Sequence, residues 1–331
     1  MEENLTLPKV DLDNNTSSSL PVYYIILASL IGFVAVFGNG VVIYLISTRR
    51  RLHVETNYFV VSLAFADMLV GLFLPTFIIA CDFWSDCDKT TYFMFFNLFT
   101  LISIANLFAM TVDRYISILY PLRYQSYATS RRLFGTILVS WIIPAYLSFS
   151  PLFWTLASSE TVKNTGKKVH ALIVITAFEV IPTVVMPAMY IQIFVTARRH
   201  ARQVATHQTQ LDFNSQVNNR DNMQQATADA GKRASHTSQQ SKGKRKTADL
   251  SSVIVLGAVI GLFVVCWSFD TVISLCSKLE LCVISDGLFR VSDLMIFVNS
   301  AINPLVYAFL KKDIKREFSF ICCCTVAMNE K

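Results

Sequence analysis

The sequence predicts an all-α integral membrane protein: a seven-transmembrane helix bundle followed by a short amphipathic eighth helix. Three observations carry that prediction. Of 331 residues, 53% are hydrophobic and only 16% charged, too apolar and too weakly charged for a soluble fold. Apolar runs of about 20 residues, the length that crosses a bilayer, recur seven times, at roughly 22–47, 57–81, 92–120, 133–156, 170–197, 250–276 and 285–310. Lys and Arg flank these runs on one side only: Arg49, Arg50 and Arg51 after the first, Arg123, Arg131 and Arg132 between the third and fourth, Arg198, Arg199 and Arg202 after the fifth, Lys311, Lys312, Lys315 and Arg316 after the seventh. Positive charge marks the cytoplasmic side, so the N-terminus is expected outside and the C-terminus inside.

Residues 1–21 form an extracellular tail with glycosylation sequons at Asn4, Asn14 and Asn15, which suits an exposed segment. The first run begins too late and is too long for a cleaved signal peptide, so it is read as a retained span. It carries Gly38-Asn39-Gly40, and a mid-span amide must find partners on neighbouring helices. Packing contact and switch element are both open for Asn39.

The second span places Asp67 at mid-membrane with no basic residue in its own run. One reading is a protonated, hydrogen-bonded acid; the other is a buried cation or proton site. Ser103 of the third span and Asn299, Ser300 and Asn303 of the seventh fall at matching depth. One carboxylate with neutral oxygens suits a hard monovalent ion, and an allosteric sodium ion is the favoured reading.

The third span ends in Asp113-Arg114-Tyr115. An arginine in a membrane segment costs about 2.5–3.5 kcal/mol even on the lenient insertion scale, so it is expected to face protein and be paired. Asp113 is adjacent, and Asp249 lies at the corresponding depth of the sixth span. The fourth span holds Trp141 and Pro144; the fifth holds Pro182, whose ring leaves a carbonyl four residues earlier without its donor, and Tyr190.

Between the fifth and sixth spans, residues 198–249 form a long cytoplasmic loop with ten Lys/Arg against four Asp/Glu. That balance equals the whole chain's net charge of +6, so the basic pI belongs to one loop facing the anionic leaflet, and a nucleic-acid partner is excluded. Gln203–Lys246 is Gln, Asn, Ser and Thr rich and is expected to be disordered. Lys232-Arg233-Ala-Ser235 and Lys244-Arg245-Lys246-Thr247 resemble basophilic kinase sites. The sixth span then carries Cys266-Trp267-Ser268-Phe269-Asp270 and the seventh Asn303-Pro304-Leu305-Val306-Tyr307. Residues 311–331 comprise the amphipathic helix Lys311–Ile321 and a tail.

The eight cysteines sort by place. Cys322, Cys323 and Cys324 follow the amphipathic helix, as palmitoylated cysteines do. Cys81 with Cys87, and Cys276 with Cys282, bracket outside loops where short disulfides form. Cys266 lies within a span as a small buried hydrophobe. The five histidines, at 53, 170, 200, 207 and 236, never cluster, and no nucleophile–base or phosphate-cradling motif accompanies them, so the chain is not expected to be an enzyme.

Taken together, Asn39, Leu63-Ala-Phe-Ala-Asp67, Asp113-Arg114-Tyr115, Trp141, Pro182 with Tyr190, Cys266-Trp267 and Asn303-Pro304-x-x-Tyr307 resemble the rhodopsin-like (class A) G-protein-coupled receptors over the whole chain. The resemblance implies an inactive-state lock between Arg114 and Asp249, and sodium around Asp67, Ser103 and Asn299. It implies that Trp267, Tyr190 and Tyr307 rearrange on activation and that Leu122 docks a heterotrimeric G protein beside Arg114. Implied partners are that G protein, arrestin and receptor kinases, membrane lipid and an extracellular small-molecule or peptide ligand, at the plasma membrane.

Three stretches, TNYFVVSLAFADMLVG, YPLRYQSYATSRR and YIQIFVTARRHARQ, look most like adenosine receptors. The ligand side departs from them. Ser274 and Phe297 stand where that group has asparagine and histidine, Phe178-Glu179 lies within the fifth span, and only Thr100 fits. Phe96 stands where aminergic receptors place an aspartate, and Phe297 where opsins need a lysine, which excludes retinal. The loop after the fourth span lacks the usual cysteine, and Phe269 replaces the usual proline of the sixth.

The residues expected around a ligand are Phe96, Asn97, Thr100, Glu179, Asp270, Ser274, Asp293 and Phe297. Glu179 and Asp270 should project from facing helices, and two unpaired carboxylates there repel each other. Either both are protonated and hydrogen-bonded, or a cationic, amine-bearing ligand neutralises them. Two rivals to a signalling receptor remain. A seven-span transporter needs a chain of intramembrane charges or an inverted repeat, and neither is visible; a receptor-shaped protein that does not signal would explain Phe269 and the missing cysteine.

Overall fold

The computed structural model describes residues 20–83, 89–127, 129–155, 159–226, 240–278, 282–310 and 314–317. The described elements are helical, and among the described residues seven helices are long and apolar enough to cross a membrane. Asn4, Asn14, Asn15, Cys87, Cys322, Cys323 and Cys324 lie outside the described residues.

Helix α1 (Val22–Thr48) starts after Pro21, whose carbonyl accepts the Tyr24 amide at 2.9 Å. Arg49 is extended and ends it, and a 3-10 turn, Arg50–Leu52, leads into α2 (Glu55–Phe83). The buried Asn57 amide pins that turn by donating to the Leu52 carbonyl at 2.7 Å. Helices α1 and α2 cross backbone to backbone: a Cβ built on Gly71 would sit 2.6 Å from the Ala35 Cβ and 2.9 Å from the Gly32 carbonyl oxygen. Small residues at such a crossing allow the close approach that packs membrane helices.

Helix α3 (Lys89–Leu119) runs through the middle of the bundle, against α2, α5 (Ser130–Phe149) and the fifth span. A short helix, α4 (Pro121–Tyr127), joins α3 to α5. Large side chains on the outward face of α5, among them Phe134, Leu138, Ile142 and Tyr146, are exposed, as lipid-facing residues must be when the surroundings are hydrocarbon.

The fourth-to-fifth connection is shorter than the sequence suggests. Helix α6 (Pro151–Thr155) follows α5, and helix α7 (Glu160–Val174) begins ten residues before the expected start of the fifth span. Glu160 in its first turn suits the positive end of the helix dipole and pairs with Lys163 at 3.0 Å. Gly166 lies against Trp154, where a Cβ would come within 2.7 Å of the indole. His170 reaches the Leu147 carbonyl at 3.1 Å and the Trp154 ring at 5.4 Å.

A π-helical turn, Ile175–Val180, joins α7 to α8 (Ile181–Ala226). Pro182 stands immediately after it. Its missing N–H removes an ordinary helical bond, which is where such turns arise. Within Gln203–Lys246, where the sequence predicts disorder, the described residues are helical: α8 continues to Ala226 and α9 (Gln240–Lys278) starts at Gln240. Extending an existing helix adds one hydrogen bond per residue without a new nucleus, and Gln203–Ala226 contains neither glycine nor proline.

Helix α9 (Gln240–Lys278) carries no proline and is unbroken through Phe269. Helix α10 (Asp286–Leu310) contains Pro304, which packs against Gly38 of α1. Of the expected eighth helix Lys311–Ile321, residues 314–317 are described, and they are helical. Ile314 is fully buried and Glu317 pairs with Arg49 at 3.4 Å, so this turn folds back onto the foot of α1.

Candidate functional site

At the centre of the bundle, three helices converge on one carboxylate. Asp67 is fully buried. Ser103 of α3 donates to its Oδ1 at 2.7 Å, Ser300 of α10 to the same oxygen at 2.9 Å, and Asn303 to Oδ2 at 2.7 Å. Asn39 ties α1 to the cluster by donating to the Ser300 carbonyl at 3.1 Å and to its own Ala35 carbonyl at 2.9 Å.

This cluster also leaves acceptors free. The Oδ1 atoms of Asn39, Asn299 and Asn303 and the hydroxyl of Tyr307 are buried without a hydrogen-bond partner. A carboxylate, two hydroxyls and buried amide oxygens are hard oxygen donors of the kind a small cation takes. The residues therefore fit a sodium ion, with Asp67, Ser103 and Ser300 as its holders and Asn299 as a spare oxygen rather than a direct partner of Asp67.

A second polar network, which the sequence does not announce, joins three spans beside it. Trp141 Nε1 donates to Ser62 at 3.0 Å, Ser62 donates to Asn106 Oδ1 at 2.6 Å, and Asn106 donates to the Ile102 carbonyl at 2.8 Å. Trp141 carries the only sequence signal, and its partners are polar residues of unremarkable spacing.

The end of the bundle flanked by arginines holds the switch residues. Arg114 lies 3.8 Å from Asp113 by Nε to Oδ2, and the Tyr124 hydroxyl donates to the other Asp113 oxygen at 3.0 Å. Burial and the neighbouring Asp113 carboxylate push the Tyr124 hydroxyl up to about 12, so it stays a proton donor. Tyr115 donates to Gln192 of α8 at 2.8 Å. Asp249 lies within α9, but its side chain is outside the described residues, and so is any contact with Arg114. Leu122 is 87% exposed, an apolar side chain with no covering neighbour.

Above Arg114, Tyr190 lies on the backbone of α9: a Cβ built on Gly257 would overlap its ring and hydroxyl. The sequence does not single out Gly257, because a glycine in a helix has no signature until its neighbour is known. Trp267 stacks on Phe263 at 5.8 Å between ring centres, and its Nε1 is buried without a partner. Tyr307 is 1% exposed and belongs to the core.

At the far end, Glu179 sits in the π turn, Asp270 on α9 and Asp293 on α10. Ser292 donates to Asp270 at 2.6 Å and Tyr24 of α1 donates to Asp293 at 3.3 Å. Thr271 donates to the Trp267 carbonyl at 2.7 Å; the π turn that carries Glu179 packs on α9, and Ser292, which binds Asp270, is the chain neighbour of Asp293. The second oxygen of Glu179, Oε2, is buried and has no hydrogen-bond partner.

The other expected ligand residues divide. Phe96, Asn97 and Ser274 are partly buried, and Phe96 packs on Tyr92 at 5.9 Å. Thr100 spends its hydroxyl on the Phe96 carbonyl at 2.6 Å, and Phe297 is 1% exposed. Both contribute to the packing of the core in this arrangement. Cys276 and Cys282 are joined in a disulfide, Cys81 is disulfide-bonded, and Cys266 is a buried free thiol.

With this geometry in view, the 7 transmembrane receptor (rhodopsin family) sequence model matches residues 38–307. The chain belongs to the rhodopsin family of seven-transmembrane receptors. Its relatives include the octopamine receptor beta-1R of Drosophila melanogaster, 30% identical over 92% of this chain and 63% of that receptor. The alpha-1A adrenergic receptor of Rattus norvegicus is 28% identical over 89% of this chain and 66% of its own length. The 5-hydroxytryptamine receptor 4 of Cavia porcellus is 28% identical over 89% and 78%. The chain thus spans somewhat less than two thirds of the octopamine receptor it matches. Membership places it among receptors and not among enzymes. The relatives are named for amines, so the expected leaning toward adenosine receptors gives way to the broader family statement.

Proposed function

We propose that this chain is a plasma-membrane receptor for an amine-bearing cation, which acts by catalysing nucleotide exchange on a heterotrimeric G protein. The arginine-flanked end faces the cytoplasm and the Asp270 end faces outside, following the distribution of Lys and Arg around the spans. The observation that carries the reading is three carboxylates on packed spans, of which Asp270 and Asp293 receive one hydroxyl each and Glu179 keeps a buried oxygen without a partner. A bound ammonium supplies the missing charge. Kinship to receptors named for octopamine, adrenergic and 5-hydroxytryptamine ligands agrees with this chemistry. The position of the acid differs, since Phe96 holds the third-span site where aminergic receptors carry aspartate.

The ligand shifts a population between a closed and an open cytoplasmic face. On the closed side, Tyr190 packs on Gly257 and Tyr124 holds Asp113; the Arg114–Asp249 pairing belongs to this state. On the open side, α9 moves away, and Arg114 and the exposed Leu122 meet the G protein. Asp67, Ser103 and Ser300 would hold a sodium ion, whose charge would offset the buried carboxylate where α2, α3 and α10 meet.

The decisive test is heterotrimer dissociation in cells expressing the chain, with a panel of small amines and adenosine as the contrasting ligand. Asp270→Asn is expected to raise the half-maximal amine concentration by about 100-fold, the usual cost of removing one partner of a buried charge pair. Unchanged potency for every active amine contradicts the reading. Helix α9 without a proline favours one alternative, a receptor-shaped protein that does not signal. Silence toward every ligand, in surface-expressed wild type and Phe269→Pro alike, would support it.

A further inference from the structure

We infer, resting on the amine reading above, that the ligand class is an organic dication: an extended molecule with two ammonium groups, such as a linear diamine. Its site is an acidic arc running from Glu179 through Asp270 to Asp293.

The arc follows from topology. Helix α9 packs between the fifth span and α10, so Asp270 stands in the middle, with Glu179 on one flank and Asp293 on the other. Ser292, next to Asp293 in the chain, donates to Asp270 at 2.6 Å, and the π turn that carries Glu179 packs on α9. Three carboxylates on three successive spans make an elongated feature and not a single point.

The hydrogen bonds leave this feature short of positive charge. Ser292 and Tyr24 each donate one neutral hydroxyl, to Asp270 and Asp293, whereas the Thr271 hydroxyl beside Glu179 donates to the Trp267 carbonyl at 2.7 Å. Among the described residues, none of the three acids takes part in a salt bridge. Glu179 is 6% exposed and its Oε2 has no hydrogen-bond partner, an acceptor held ready at one end of the arc. Burying ionised carboxylates without a cation is costly, and one ammonium carries one charge and three donors. It can satisfy one carboxylate fully or two partly, and the arc has three.

A divalent metal ion would supply the charge, but the geometry opposes it. Among the described residues, no three Asp, Glu, His or Cys side chains come together closely enough to hold a metal ion. Carboxylates spaced too widely for a shared metal suit a ligand whose charges are themselves spaced. The two ammonium groups would divide the arc, one between Asp270 and Glu179 and the other at Asp293, beside Tyr24, whose hydroxyl donates to that carboxylate. Aromatic faces add favourable contacts for an alkylammonium.

The test compares α,ω-diamines with n-alkylmonoamines of matched chain length, reading G-protein dissociation in cells with surface expression confirmed by an N-terminal tag. The best diamine is expected to act at a concentration about 100-fold below its matched monoamine. Asp293→Asn is expected to weaken the best diamine at least about tenfold more than its matched monoamine, because the second ammonium loses its carboxylate. Should Asp293→Asn fail to reach the surface, Glu179→Gln tests the other end by the same comparison. If monoamines act through Asp270 and diamines gain nothing, the dication inference falls and the amine reading stands. The dication inference falls in the same way if Asp293→Asn weakens both series alike. If neither series acts, or if external acid alone drives dissociation, both fall.

Discussion

Two acidic centres lie in this bundle, and they are built on opposite principles. Asp67 receives three hydrogen bonds from two other helices, and both of its oxygens are engaged. Asp270 and Asp293 each receive one bond from a hydroxyl, and Glu179 keeps a buried oxygen with no partner. The first centre has donors on both carboxylate oxygens and ties three helices together. The second is held short of charge, as a site is when a ligand completes it. Buried carboxylates are therefore distinguished less by their burial than by what donates to them.

This contrast can be broken by mutation. The largest effect should come from Asp67→Ala, which leaves the donors of Ser103, Ser300 and Asn303 without an acceptor. Unsatisfied buried donors cost about 1–3 kcal/mol each, with relaxation recovering part, so a loss of about 3 kcal/mol is expected in thermal unfolding of detergent-solubilised receptor. Sodium should protect wild type against heat and leave this variant unaffected. Next comes Gly257→Ala, whose methyl overlaps Tyr190. Overpacking costs about 1–3 kcal/mol and penalises only the arrangement with Tyr190 on α9, so ligand-independent dissociation should rise roughly tenfold at normal surface expression.

The third prediction reverses the sign of the first. Asp293→Asn removes one of several like charges and keeps the Tyr24 contact, so stability without ligand should rise by on the order of 1 kcal/mol. A destabilisation as large as that of Asp67→Ala would erase the distinction between the two centres. The smallest effect is Tyr124→Phe, which removes one hydrogen bond to Asp113. About 1 kcal/mol of support for the closed face disappears, and basal signalling should rise a few-fold.

The same contrast explains what is legible in the sequence. Spans, their order and the residues around Asp67 can be read because membrane helices need long apolar runs and a mid-span acid stands out within one. The acidic arc can be anticipated from Glu179, Asp270 and Asp293, but its hydroxyl donors cannot. Ser292 and Tyr24 look like any polar or aromatic residue until the bundle brings them to their acids. The Thr100 back-bond and the enclosure of the Phe297 ring are likewise not legible, because depth along a helix says nothing about whether a hydroxyl is already bonded or a ring already enclosed. Helix α8 beyond Gln203 is hidden by its polar composition, which resembles that of a disordered segment, although a helix already nucleated in the membrane extends readily through a stretch with no breaker. Gly32, Gly71 and Gly257 become informative only when a second backbone or ring is seen against them.

The central claim is that a cation gathered at Asp270 drives the opening at Arg114. It is tested most directly by measuring amine binding and heterotrimer dissociation together, in wild type, Asp270→Asn and Arg114→Ala. The account predicts that Asp270→Asn loses both binding and dissociation, whereas Arg114→Ala binds the amine and fails to dissociate the heterotrimer. Amine binding and signalling that persist unchanged in Asp270→Asn would contradict it.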